Sequence, residues 1–157
     1  MADCRRIVMI PIDKSGNSKR IFEWYFNKLR KDNDKVILIH VYTVPLMSTP
    51  TARFGYSVSL TEWEGVQSSV DKEILQRISE FEELCRGNNL QFKTIYKTGE
   101  PGVVICEHAH REHVSLILMG TRGLGKFARA LLGSVSKYVI LHSGLPVLVM
   151  PPDTGGK

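Results

Sequence analysis

The most distinctive stretch of the chain runs from Leu116 to Ser136, LILMGTRGLGKFARALLGSVS. It begins with a short apolar run typical of a buried strand, continues as a glycine-rich loop, and ends where Gly133 and Ser134 open an amphipathic helix. Glycines let the backbone approach a ligand closely, and the free N–H groups of a helix start attract an anion. We therefore predict that this loop holds the phosphates of a nucleotide.

Two better-known phosphate motifs do not match this loop. The segment from Gly120 to Lys126 has most of a P-loop, but Phe127 stands where the motif needs a magnesium-binding Ser or Thr. The glycines at 120, 123 and 125 form G-x-x-G-x-G, which is not the G-x-G-x-x-G of the Rossmann fold. Composition alone also leaves open a glycine-rich surface loop without a ligand.

The rest of the chain alternates predicted strands and helices. Apolar runs predict strands at 6–13, 36–41, 92–96, 114–119 and 146–150. Apolar residues at helical spacing predict helices from Ile21 to Leu29, from Trp63 to Leu84, after Pro101, and from Val135 to His142. This alternation predicts an α/β fold with a parallel sheet. The segment 43–60 has no clear period and is predicted to be a functional or mobile loop.

Composition indicates an ordinary globular protein. The length of 157 residues predicts one domain, which we place at 1–152 with a flexible tail at 153–157. A net charge of +5 suits an anionic small ligand, but the basic residues are spread along the chain and predict neither nucleic-acid nor membrane binding. Cys4, Cys85 and Cys106 form no close pair, so we expect reduced, packed thiols and a cytoplasmic location.

Three histidines lie at the end of the third predicted helix. His108, His110 and His113 are spaced H-x-H-x-x-H. Residues two positions apart do not share a helix face, so the pattern does not favour a metal site. We expect a solvated helix end whose protonated imidazoles interact favourably with the helix dipole.

The chain resembles the universal stress protein family over nearly all of its length. The resemblance is carried by Gly120-x2-Gly123-x9-Gly133-Ser134, the ATP-binding motif of that family's nucleotide-binding branch, and by the flanks at 119–125, 131–136 and 146–149. It implies a single-domain three-layer sandwich with a five-stranded parallel sheet of order 3-2-1-4-5. This architecture is adenine nucleotide alpha hydrolase-like and usually dimeric.

The resemblance also implies the ligand and its site. ATP would bind with Mg²⁺ carried on its phosphates. The implied contacts are Pro11, Asp13 and Val41 for adenine and ribose, Met119, Gly120, Arg122 and Gly123 for the loop, and Gly133, Ser134, Val135 and Ser136 for the phosphates. Lys14 departs from the family pattern, in which glycine is common, and is expected to point to solvent.

A regulatory function follows from these expectations. We expect an ATP-binding protein of the stress response that changes partners or oligomeric state with nucleotide occupancy. No catalytic set stands near the motif, so we do not expect an enzyme. The alternatives are a slow ATPase or autophosphorylating enzyme, an enzyme of adenylate chemistry, although an H-x-G-H signature is absent, and an interaction protein with an empty site.

The last predicted strand carries the clue to assembly. Pro146 is placed as in an edge strand, yet Val147 to Met150 is wholly apolar. An exposed apolar edge promotes aggregation unless it is covered. We therefore predict a homodimer in which this strand pairs with its copy.

Overall fold

The computed structural model describes residues 5–43, 60–121 and 132–151, and for 60–71 it describes the backbone alone. Strands and helices alternate through these ranges as the hydrophobic pattern predicts. In chain order the elements are β1 (Ile7–Pro11), α1 (Asn17–Trp24), a π-helical turn (Tyr25–Leu29), β2 (Lys35–Tyr42), α2 (Leu60–Gly87), β3 (Gln91–Thr98), α3 (Pro101–Arg111), β4 (Leu116–Gly120), α4 (Ser134–His142) and β5 (Val147–Met150).

The sheet is parallel throughout and has the order β3-β2-β1-β4-β5. The predicted fold class and strand order are therefore confirmed. Strand order reverses between β1 and β4, where Val8 pairs with Leu116 and Met9 with Ile117. In such sheets the crevice beyond the carboxyl ends of the reversing strands is the usual place for a ligand.

Alternation along the strands sorts the buried residues into two cores. Val8 and Ile10 belong to the core under α1 and α2, where the rings of Phe22 and Phe81 stack with centroids 4.5 Å apart. Met9 belongs to the opposite core, under α3 and α4. Both faces of the sheet are thus covered, which is why its strands are continuous apolar runs.

Two cysteines take part in these cores. Cys85 lies in the core under α2 and Cys106 in the core under α3, and both are free thiols. The prediction that the cysteines pack is confirmed for these two, while Cys4 lies outside the described residues. The predicted domain bounds, 1–152 and 153–157, stay a prediction, and so does the function of the loop at 43–60, because most of that loop and the chain ends lie outside the described residues.

The first predicted helix, from Ile21 to Leu29, changes type along its length. The α-helix ends at Trp24, and a π-helical turn, in which Arg30 N–H donates to Tyr25 O at 2.8 Å, continues to Leu29. The wider turn brings Tyr25 into the core. Asp34 lies at the turn that follows, is only 2% exposed and pairs with Arg6. Compensation by a cation makes burial of that carboxylate possible.

The long second helix is confirmed and its cap is resolved in detail. The chain leaves α2 through Asn89, whose φ of 52° is left-handed, as the sequence Gly87-Asn88-Asn89 predicts for a helix that stops with a left-handed C-cap. Leu84, expected on the apolar face, is 46% exposed, and Cys85 takes the buried place because it continues the face of Ile78 and Phe81. Of the helices in the described ranges, none has the length and apolar composition needed to cross a membrane.

The histidines on α3 differ from expectation in one case. His110 and His113 are exposed, as expected for a helix end, but His108 is only 6% exposed and faces the core. Burial lowers the pKa of His108, and Arg111 and Lys97 lower it further. The predicted solvated, charged imidazole is therefore wrong at this position, since the neutral form is the one that burial favours.

Candidate functional site

The carboxyl ends of the central strands bring the predicted site residues to one edge of the sheet. Pro11 ends β1, Val41 is near the end of β2, and Gly120 ends β4. The predicted residues that the structure describes at this edge or at the start of α4 are Pro11, Asp13, Val41, Met119, Gly120, Gly133, Ser134, Val135 and Ser136. Arg122 and Gly123 lie outside the described residues.

The loop between β1 and α1 is held by its own side chains. Asp13 Oδ1 accepts hydrogen bonds from Ser15 N–H at 3.1 Å and from Ser15 Oγ at 2.6 Å, which closes an Asx turn. Ser18 Oγ lies 3.3 Å from both Asp13 O and Ser15 O. Lys14 is exposed, as expected. The Asp13 carboxylate is thus fixed beside the end of β1.

Arg77 of α2 also holds this loop, and the sequence analysis missed it. Its Nη1 donates to Asp13 O at 2.8 Å and to Ser15 O at 2.7 Å, while its Nη2 lies 3.2 Å from Glu73 Oε1. The available signal was an arginine directly before the core residue Ile78 on an amphipathic helix. A long cation at the border of an apolar face can bury its stem and reach a neighbouring backbone.

The same loop is tied to β4 across the point where the strand order reverses. Asn17 Nδ2 donates to Thr121 O at 3.0 Å. A Cβ on Gly120 would lie 2.8 Å from Ile21 Cδ1 and 3.3 Å from Asn17 Cβ. Gly120 is therefore required by the close packing of α1 on β4, in addition to any approach of a ligand.

The N-terminus of α4 carries free donors. Gly133 is extended, with φ −60° and ψ 151°, and the first intrahelical bond runs from Lys137 N–H to Gly133 O at 2.8 Å. The N–H groups from Gly133 to Ser136 therefore have no intrahelical partner, and Gly133 has no side chain that could cap them. Together with the helix dipole, these donors form an anion-binding surface.

The hydroxyl groups near this surface differ in what they do. Ser134 is exposed, whereas Ser136 is buried and its Oγ donates to Gly120 O at 2.8 Å. The Ser136 hydroxyl thus joins α4 to the end of β4, and its backbone N–H is the group left for a phosphate. Thr121 Oγ1 is buried and has no hydrogen-bond partner among the described residues. A polar atom in that state is unusual and marks a place where a partner would be favourable.

The end of β2 directs backbone groups into the same crevice. Ile12 N–H donates to Ile39 O at 2.8 Å on one side of β2, and Gly99 N–H donates to Tyr42 O at 3.0 Å on the other. Successive strand residues direct their backbone groups to alternate sides, so Val41 faces the same side of β2 as Ile39. Its N–H and C=O are therefore directed towards β1, beyond the point where β1 ends.

His40, a second residue that the sequence analysis missed, completes this edge. Its Nδ1 lies 2.7 Å from Ile12 O, and the ring is buried edge-on against Tyr42 with centroids 4.4 Å apart. Since a carbonyl accepts, Nδ1 carries the proton. The signal was a histidine within the apolar run 36–41. It satisfies the carbonyl of Ile12 just after β1 ends.

Comparison with known proteins identifies relatives of the whole chain. The family model for the universal stress protein family matches residues 5–151. Universal stress protein YxiE of Bacillus subtilis (strain 168) is 28% identical over 143 residues, which are 91% of this chain and 97% of that protein.

Solved structures show the same fold at lower identity. The protein MJ0577 of Methanocaldococcus jannaschii superimposes with a TM-score of 0.72 at 24% identity, covering 96% of this chain and 99% of the other. A universal stress protein family protein from Arabidopsis thaliana with AMP bound gives a TM-score of 0.68 at 23% identity, covering 95% and 93%.

Proposed function

Because the chain belongs to the universal stress protein family, we propose that it binds an adenine nucleotide at the carboxyl end of its sheet. The observation that carries this proposal is the adjacency of β1 and β4, which sets the Asp13 loop beside the uncapped start of α4. The AMP held by the Arabidopsis neighbour supports the choice of nucleotide.

The donors at α4 fit a phosphate chain. The N–H groups from Gly133 to Ser136 and the exposed hydroxyl of Ser134 would receive the phosphates of ATP, and Thr121 Oγ1 supplies a buried polar atom in need of a partner. Mg²⁺ would be bound to the phosphate oxygens of ATP and would neutralise part of their negative charge. Asp13 is the carboxylate that the β1–α1 loop adds to this set.

The base is assigned to the crevice beside β2. Adenine presents a ring-nitrogen acceptor and an amino donor on one edge, which match the N–H and C=O that Val41 directs there. Guanine presents the opposite pair on that edge, so a backbone partner in this arrangement disfavours GTP. Pro11 and Met119 would flank the base and sugar, and Arg122 and Gly123 would line the loop above them.

The function we propose is a nucleotide-dependent regulatory switch of the stress response, located in the cytoplasm and not an enzyme. Asp13 and His40 are both hydrogen-bonded within the protein. These bonds fix the two side chains at the end of β1 and β2 and give each of them a structural role. Burial raises the pKa of the Cys85 thiol to about 11. A buried, unreactive thiol suits a reducing compartment.

The proposal extends to a homodimer through β5. Ile117 N–H donates to Pro146 O and Thr121 N–H donates to Met150 O, so alternation directs the backbone groups of Val147 and Val149 to the open edge. Pairing with a second copy would cover that edge.

The nucleotide site is tested first on the purified protein. Acid precipitation and anion-exchange chromatography of the supernatant are expected to release a stoichiometric adenine nucleotide, and calorimetry is expected to show Mg-ATP binding tighter than Mg-GTP. An empty supernatant together with no Mg-ATP binding would favour the interaction protein with an empty site. Steady turnover above ~1 per second, the low end of enzyme rates, would favour the slow ATPase or another adenylate enzyme.

Two matched variants then locate the phosphates. Ser134→Glu places a negative charge at the helix start and is expected to weaken Mg-ATP binding by about tenfold or more, because like charges brought together cost several kcal/mol. Ser134→Gln has the same size without the charge and is the control. The helix dipole favours Glu at this position, so the melting temperature of the free protein should not fall. Equal affinities of the two variants would place the phosphates elsewhere.

The dimer is tested at the strand edge. Val149→Pro removes an outward N–H without removing a bond to β4, and it is expected to yield a monomer in sedimentation. Val149→Ala, which loses side-chain contacts but keeps the N–H, is the control. A dimer that persists in the proline variant would exclude this interface.

A further inference from the structure

Arg77 joins the long helix α2 to the loop that carries Asp13. The two backbone oxygens that it contacts, Asp13 O and Ser15 O, each also lie 3.3 Å from Ser18 Oγ. The Ser18 hydroxyl has one proton to share between these two carbonyls, whereas the two N–H groups of Arg77 Nη1 serve both of them. The loop is thereby held in one conformation, with its peptide oxygens turned towards α2.

The Arg77 side chain is itself held in place. It is 17% exposed, its stem leaves α2 between the buried residues Ile74 and Ile78, and its second terminal nitrogen pairs with Glu73 one turn earlier. Hydrogen bonds donated by a charged group are stronger than neutral ones, and a guanidinium can serve several acceptors at once. Movement of α2 relative to β1 therefore requires these bonds to break.

The loop is tied on its other side as well. Asn17, the first residue of α1, donates to Thr121 O at the start of the glycine-rich segment. The short segment from Asp13 to Asn17 is thus held by Arg77 at one end and joined to the residue after β4 at the other.

We infer that Arg77 is a positioning residue that couples nucleotide occupancy to the docking of α2 on the sheet. This inference rests on the proposed function. Arg77 fixes the β1–α1 loop in the binding conformation, and a nucleotide held by that loop in turn disfavours local opening of α2. The coupling is reciprocal, because any effect of α2 docking on nucleotide affinity has an equal effect in the opposite direction. The nucleotide signal would thus reach the surface of the protein through α2.

The chain offers a matched control on the same helix. Arg86 pairs with Glu82 one turn earlier at 2.9 Å, just as Arg77 pairs with Glu73, but its guanidinium stacks on Phe92 and does not contact the β1–α1 loop. Arg77→Met and Arg86→Met therefore remove equivalent intrahelical ion pairs. Glu73→Gln removes the ion pair of Arg77 and leaves its bonds to the loop.

The experiment measures Mg-ATP affinity by calorimetry and hydrogen exchange of α2 (residues 72–87) relative to α3, with and without Mg-ATP. In the unmodified protein we expect nucleotide to protect α2 more than α3. Arg77→Met should weaken binding by about tenfold, a usual size for coupling between sites, and should abolish the extra protection of α2. Arg86→Met and Glu73→Gln should keep both. Arg77→Lys serves as a milder variant if the methionine variant does not fold.

Each other outcome is decisive. An Arg77 variant that binds Mg-ATP normally and keeps the extra protection overturns the inference while the proposed function stands. An equal loss in Arg86→Met also overturns it, because helix stability would then be the cause. An unmodified protein that binds no Mg-ATP overturns the proposed function and the inference with it.

Discussion

The two ends of the sheet treat their polar groups in opposite ways. At the amino end, the buried carboxylate of Asp34 accepts from Arg6 Nε at 2.8 Å, from Tyr25 Oη at 2.9 Å and from Lys31 N–H at 2.9 Å. Arg6 also donates to Leu29 O at 2.8 Å. Charge and hydrogen-bonding capacity are matched within the protein, so these polar groups need no external partner.

The carboxyl end leaves comparable groups open. The first N–H groups of α4 have no intrahelical partner, Ser134 is exposed, and Thr121 Oγ1 is buried without a partner among the described residues. Unmatched donors cost stability in the free protein and become favourable when an anion arrives. One end is therefore closed by its own side chains, whereas the other leaves donors that suit the ligand we propose.

The largest expected effect is at the amino end. Asp34→Ala leaves the Arg6 guanidinium and the Tyr25 hydroxyl without their acceptor and should lower the free energy of unfolding by about 3–5 kcal/mol, as breaking a buried pair does. Urea unfolding measures this loss. Nucleotide affinity of the fraction that folds should be unchanged. A loss below about 1 kcal/mol, the size of an exposed ion pair, would remove the contrast between the two ends.

A smaller effect is expected from added volume at the carboxyl end. Gly120→Ala forces Ile21 or Asn17 to move and should cost about 1–3 kcal/mol of stability, as overpacking does. Gly16→Ala is the control, since Gly16 has φ −63° and nothing lies within 4 Å of the added Cβ. Ile21→Val removes the crowded methyl and should recover part of the loss in the double variant. Equal stabilities of the two alanine variants would contradict the packing role of Gly120.

The fall in the free energy of unfolding at low pH gives the smallest and most specific test. Burial acts to raise the pKa of Asp34, but hydrogen bonds from Arg6, Lys31 N–H and Tyr25 outweigh it and hold the pKa below its ordinary value. The stabilisation is therefore present above the unfolded-state pKa of about 3.9 and is lost as pH falls through the lower folded-state pKa. In the Asp34→Asn protein, the free energy of unfolding measured with urea should lack this part of the decrease at low pH. Parallel pH profiles of the two proteins would show that another carboxyl group is responsible.

Local patterns were sufficient for most of the fold. The apolar run 36–41, Pro101 at the start of α3 and the cap after Gly87 each depend on residues close in sequence, and each prediction is confirmed. The π-helical turn was not predictable in this way, because its cost is met by contacts of Tyr25 with a distant core. Leu84 was misplaced for a different reason, because Cys85 and not Leu84 continues the helical face of Ile78 and Phe81.

The candidate site was predictable in part. The glycine and serine residues at the start of α4 indicate an anion site, but Arg77 and His40 are indicated by little except their place in an apolar pattern. Arg77 meets Asp13 across 64 residues of sequence, and His40 meets Ile12 across 28. Partners so far apart are brought together by the packing of α2 and the pairing of β2 with β1.

Hydrophobic periodicity and helix termini are local properties of the chain, so the alternation of elements, the parallel sheet and the anion-attracting start of α4 can all be predicted from the sequence. Which charges are buried and which hydroxyls are exposed depends instead on the packing of distant elements. Ser134 and Ser136 cannot be told apart from the sequence of the motif, yet in the structure Ser136 donates to Gly120 O while Ser134 is exposed. Whether a polar group is satisfied depends on the element packed against it, and that is a property of the folded chain.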